Sequence, residues 1–200
     1  MKTKTLINKI IELKKTNSYT NLINKLIKMG FIYAGGGVTR ECYKNDKIVV
    51  KIQYGSHDNK KEFKTYNRFQ NHKILKYFVV PMYGVYSNRG YSILIAAKAK
   101  KLRIKDNDKI SPVTPRKAGF KILNSNFHEI AVLLNNCFTD LHGDNIMKFG
   151  KSIVLIDLDS ESFYSVASKF RKYEKKFKSL VDIELQGKEW MKQMDEIFSS

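Results

Sequence analysis

Asp140, Asn145 and Asp157 are the residues whose types and spacing fit a chemical task. Asp140-Leu-His-Gly-Asp-Asn145 is polar and carries a glycine, which reads as a loop. Ile153-Val-Leu-Ile-Asp157 is a short apolar run ending in a carboxylate, as a buried strand would deliver it. An acid, an amide and a second acid in that order make an oxygen-rich pocket. Magnesium prefers oxygen ligands, keeps several waters, and takes the remainder from one or two carboxylates and substrate phosphates. The chemistry this arrangement serves is magnesium-assisted phosphoryl transfer. Any one of these residues alone reads as a solvated loop side chain, so the combination must be weighed with the elements that would position it.

Those elements begin far upstream. Phe31-Ile-Tyr-Ala34 reads as a strand, Gly35-Gly36-Gly37-Val38-Thr39 as a flexible turn, and Arg40-Glu-Cys-Tyr-Lys44 as a returning strand. Asn45-Asp46-Lys47 reads as a tight turn and Ile48-Val-Val-Lys51-Ile52 as a third strand. Glycines allow the backbone to approach a phosphate that a side chain would strike. A Gly triplet alone is common in plain hairpins; followed by a β-branched strand carrying one lysine, it says more. Lys51 is flanked by apolar residues, so its charge emerges from a mostly buried strand and needs a partner. Glu62, in the helix-like run Asn59-Lys-Lys-Glu-Phe-Lys-Thr-Tyr-Asn-Arg-Phe69, is the nearest downstream candidate.

Between about residues 31 and 159 the chain resembles the protein-kinase-like superfamily, in particular compact phage or microbial kinase-like and aminoglycoside-phosphotransferase-like proteins. Kinases carry a Gly-rich loop, a strand lysine, a helix glutamate, a catalytic loop with Asp and Asn, and a metal-binding Asp. The resemblance implies an α+β, two-lobed fold with a small antiparallel-sheet N-lobe and a reduced, mostly helical C-lobe. It implies an ATP- and Mg2+-dependent phosphotransferase. Gly35, Gly36 and Gly37 would cover the phosphates, and Lys51, held by Glu62, would pair with the α/β oxygens. Asp140 would orient or deprotonate an acceptor hydroxyl, while Asn145 and Asp157 would hold the metal. Cys42, Val49 and Met147, with Ile156 behind, would wall the adenine, and the stretch from Ile95 through Ala97 to Lys98 would connect the lobes and offer backbone groups to the base. His142 would contact the moving phosphate or pin the loop.

The departures from that pattern carry information. Arg40 stands in place of the third loop glycine, and Phe138 and Thr139 stand where regulated kinases have His and Arg. Leu158 and Asp159 replace Phe and Gly, and no A-P-E sequence follows. A long peptide-docking activation segment is not expected, so the acceptor, a protein or a small molecule bearing a hydroxyl, stays open.

Composition sets outer limits. In 200 residues, 42% hydrophobic and 12% aromatic content argue for a folded globule with a sizeable core. Cys42 and Cys137 match no disulfide framework or zinc spacing, and no apolar run approaches the ~20 residues of a membrane span, so a cytoplasmic protein is expected. The net charge of +18 fits a polyanionic partner, but free use of lysine and asparagine explains it equally well. Three parts follow: a helical extension over 1–30 with Gly30 as a stop, an N-lobe over 31–97, and a C-lobe over 98–200. Two other function classes stay open, a pseudokinase acting as a nucleotide- or protein-binding scaffold and a basic nucleic-acid-binding protein.

Overall fold

The computed structural model describes residues 2–16, 18–37, 39–54, 57–88, 90–101, 130, 133–139, 141, 145–150, 152–158 and 161–199. Its centre is a five-stranded antiparallel sheet in the order β1-β2-β3-β5-β4. The strands are β1 (Ile32–Gly36), β2 (Arg40–Lys44), β3 (Ile48–Tyr54), β4 (Met82–Ser87) and β5 (Tyr91–Ala97). The period-two rule decides what each face carries. Ile48, Val50 and Ile52 of β3 join Ile93 and Ile95 of β5 in one buried cluster. Val49, Lys51 and Gln53 therefore look out from the opposite face.

The first face is covered by α1 (Thr3–Glu12) and α2 (Tyr19–Lys28). Helices of this length are marginal alone in water. Leu6, Ile7, Ile10, Leu22 and Leu26 are buried against the sheet, and each such side chain contributes about 1.5–3 kcal/mol. Docking, not propensity, holds these helices. Ser18 caps α2 by accepting from the Asn21 N–H, and Gly30, at φ 84°, turns the chain into the sheet.

The other face receives α3 (His57–Gln70), whose inner side carries Asn59, Glu62, Tyr66 and Phe69. Past β5 lies a three-stranded sheet of β6 (Lys100–Lys101), β7 (Ile146–Phe149) and β8 (Ser152–Leu155). Then come α4 (Phe163–Leu180) and α5 (Ile183–Ser199). One continuous core joins Phe69, Phe78 and Leu94 to Val154, Phe170, Phe177 and Trp190.

Three differences from the sequence reading have local causes. Gly35 and Gly36 belong to β1 rather than to the turn, because a bulge between Tyr33 and Gly35 lets pairing with β2 continue. The Gly37 N–H then closes the loop on the Arg40 carbonyl at 2.8 Å. The β-branched pair Val79-Val80 reads in the sequence as a strand, but Val79 makes only an isolated parallel bridge to Leu155, since Pro81 follows with no N–H to extend a ladder. Ile95 through Ala97, expected in a connector, continue β5, and the chain leaves that strand only at Lys98. Ile95 lies in an interior strand, fully buried beneath α1 and α2, and the Ala97 N–H is committed to the Pro81 carbonyl.

Candidate functional site: a buried four-charge cluster

Lys51 and Glu62 meet because α3 is anchored at its start. The Asn59 side-chain amide donates to the Lys51 carbonyl at 3.3 Å and to the Ser92 Oγ at 2.9 Å, and its backbone N–H donates to the Gln53 side chain. Glu62 lies three residues on, on the same helix face, and so hangs over the Lys51 side chain. Lys51 Nζ donates to Glu62 Oε1 at 2.7 Å and Oε2 at 3.0 Å, with Glu62 fully buried.

Asp157 arrives from the other direction. Ile146 pairs with Leu155 across the β7–β8 hairpin, and the Ile156 N–H donates to the Asn145 carbonyl at 2.9 Å. Asn145 and Asp157 thus share one end of one hairpin. Asp157 has φ 67°, a left-handed conformation that non-glycine residues rarely hold without other contacts to fix it. Those contacts are present: Lys51 Nζ reaches Asp157 Oδ1 at 3.4 Å, and the next residue, Leu158, donates its N–H to Glu62 Oε1 at 3.3 Å.

Arg40 completes the cluster. One guanidinium nitrogen donates to Glu62 Oε2 at 2.5 Å and another donates to Asp157 Oδ1, and the Arg40 side chain is only 9% exposed. Arg40 entered the sequence reading only as a missing glycine. Strand register was the signal that would have found it: Cys42 pairs with Lys51, and Arg40, two residues earlier on β2, shares that face.

Two cations and two carboxylates therefore interlock in a ring with no net formal charge. Burial resists ionisation of Asp157, but Lys51 and Arg40 outweigh it and hold its carboxyl below the ordinary range. Burial likewise opposes the charge on Lys51, yet Glu62 and Asp157 keep its ammonium above the usual value. Cys42 beside them is pushed up by burial despite Lys51 and Arg40, so it stays a thiol.

The other residues expected from the sequence take different places. Cys42 and Val49 lie on the Lys51 face of the sheet, and Met147 and Ile156 pack half-buried at the edge of the main core. Gly35, at φ 129°, and Gly37 would each point a Cβ into open space, so nothing crowds the hairpin tip there. Asp140 and His142 lie outside the described residues. Their neighbour Thr139 is described, and sequence reasoning missed its partner. Buried Glu161 accepts from the Thr139 N–H at 2.8 Å and its hydroxyl at 3.0 Å, fastening the chain beside Asp140 to the segment after Asp157.

No family model matches the chain, and no curated protein matches it. Solved structures do. The chain is similar to monomeric WbdD at 14% identity and a TM-score of 0.41, over 69% of this chain and 37% of that one. It is also similar to a structure of the bifunctional kinase-methyltransferase WbdD at 15% identity and a TM-score of 0.35, over 68% and 43% of the two chains. The chain thus spans well under half the length of these structures. The likeness to a kinase-like protein is distant, and the roles of residues rest on the site's own geometry.

The donor atoms at the end of the β7–β8 hairpin decide which cation they could hold. Asn145 and Asp157 supply oxygen only, Asp157 is 36% exposed, and no group of three or more His, Cys, Asp or Glu gathers among the described residues. A sparse oxygen set of which one member is part-exposed suits a cation that keeps waters and shares phosphates, not one caged by protein. Asp157 Oδ1 is the oxygen on which Arg40 and Lys51 converge.

Proposed function

We propose that the chain is an ATP- and magnesium-dependent phosphotransferase of two-lobed, kinase-like build that transfers a phosphoryl group to a hydroxyl acceptor. One observation carries this reading. A buried lysine is held by a helix glutamate and shared with a carboxylate 106 residues away, at the end of the hairpin that also carries Asn145. A cation kept charged in a buried cleft has its natural use in binding an anion.

In this reading the hairpin at Gly35–Gly36–Gly37 lies over the phosphates, and Lys51, oriented by Glu62, binds their oxygens. Cys42, Val49, Met147 and Ile156 exclude water around the base. Asp140 accepts the proton of the acceptor hydroxyl, and Glu161 steadies the chain before it through Thr139. Magnesium, when bound by Asn145 and Asp157, would offset charge on the transferring phosphoryl group.

Asp157→Ala is expected to abolish phosphate transfer from labelled ATP to a mixed lysate and to weaken the metal-dependent part of ATP binding. Loss of such a group costs about 2.7–4 kcal/mol of transition-state stabilisation, or a hundredfold or more in rate. Turnover within about threefold of the parent, a loss near 0.6 kcal/mol, would remove Asp157 from the mechanism. A second reading, a nucleotide-binding scaffold without turnover, draws on the Arg40 contact, since that guanidinium already satisfies Asp157. Nucleotide binding with no transfer in any fraction would select it.

A further inference from the structure

Arg40 occupies the space between the Gly-rich hairpin and Asp157. Its backbone is fixed in the ladder opposite Gln53, so the guanidinium reaches Glu62 and Asp157 by side-chain extension alone. That contact is removable without unfolding the strand. If Arg40 leaves, Glu62 keeps Lys51 and the Leu158 N–H, and Asp157 keeps Lys51. A Cβ at Gly37 would meet nothing within 4 Å, and the Gly37 N–H holds the Arg40 carbonyl, so a swing of the arginine side chain leaves the hairpin's own bond in place.

Charge decides the direction of that swing. A divalent cation entering alone would meet a ring that is already neutral, with both cations on Asp157 Oδ1, and Arg40 would have to surrender its bond to Asp157 for nothing in return. Nucleotide phosphates change the balance, because they offer the guanidinium a bidentate anionic partner of the kind it prefers. Resting on the phosphotransferase reading, we propose that Arg40 is a displaceable counter-ion: it holds Asp157 closed to metal in the empty site and moves to the nucleotide phosphates when they bind. Metal and nucleotide binding are thereby coupled, with the nucleotide opening the metal site.

The consequence is read in metal binding rather than in turnover. Manganese(II) is titrated against the parent, Arg40→Gln, Arg40→Lys and Asp157→Asn, without nucleotide and with a non-hydrolysable ATP analogue, and free metal is followed by electron paramagnetic resonance. Without nucleotide, Arg40→Gln is expected to bind manganese about tenfold more tightly than the parent, a coupling of ordinary size. Arg40→Lys, which keeps a charge, should stay within a few-fold of the parent. With the analogue bound, the advantage of Arg40→Gln should vanish or reverse, since it now lacks a phosphate ligand. Circular dichroism on each variant confirms that the fold is kept. If Arg40→Gln and the parent bind manganese equally without nucleotide while Asp157→Asn binds it more weakly, Arg40 is no counter-ion and the phosphotransferase reading survives. If, with the analogue bound, Asp157→Asn binds manganese as tightly as the parent does, Asp157 is not a metal ligand and both readings fall.

Discussion

Glu62 is where the cluster's geometry makes its sharpest demand on one residue. It is fully buried and accepts from Lys51, from Arg40 and from the Leu158 N–H. Glu62→Ala removes a carboxylate that Lys51 and Arg40 share, and leaves the buried lysine beside the arginine. Breaking a buried pair from one side typically costs about 3–5 kcal/mol. Lys51→Met should cost less, because Arg40 still answers Glu62. Urea unfolding of both variants would show this ordering; a loss below about 1 kcal/mol for Glu62→Ala would mean the ring does not hold the fold together. The Lys51–Glu62 contact was legible in the sequence, since a lone cation in an apolar strand must find an acid; the contact of Lys51 with Asp157, read there as a metal ligand, was not. Arg40 was not legible, because an arginine beside glycines on a presumed turn looks solvated until strand register is known.

Individual elements were legible where the pattern was local. The Gly-rich hairpin, the Lys51 strand and the aromatic face of α4 follow from periodicity and turn residues within a short window. The short helical turn Leu75–Phe78 did not, because its hold comes from one side chain. His72 Nδ1 accepts from the Ile74 and Leu75 N–H groups at 3.2 and 3.1 Å, and the ring packs edge-on against Phe163 and Phe170. Burial lowers the His72 pKa, with Glu174 pulling the other way. A depressed histidine adds stability above its unfolded value of about 6.5, and that stability drains away as pH falls below it. The unfolding free energy should therefore drop between pH 7.5 and 5.5. His72→Asn, which keeps an acceptor but cannot gain the proton, should show a shallower drop. Parallel slopes for parent and variant would show that His72 takes up its proton in the folded protein as readily as in the unfolded chain, so that burial does not depress it.

Across the whole molecule, the charge of +18 and the site are separate matters. No helix among the described residues is long and apolar enough to cross a membrane. α4 buries Val166, Phe170 and Phe177 while Arg171, Lys172, Lys175, Lys176 and Lys178 stand exposed, so these cations are screened by water and salt. Lys51 is 8% exposed and sits among fixed charges. How α1, α2 and the hairpin β7–β8 come to surround one sheet was not legible, because long-range packing leaves no local pattern. The decisive measurement is calorimetric titration of ATP with magnesium into the parent, Lys51→Met and Lys175→Met. Lys51→Met should lose about tenfold or more in affinity, some 1.4 kcal/mol, and Lys175→Met should change it by no more than about twofold. Equal losses in the two variants would mean that bulk positive charge, and not the Arg40–Lys51–Glu62–Asp157 cluster, binds the nucleotide.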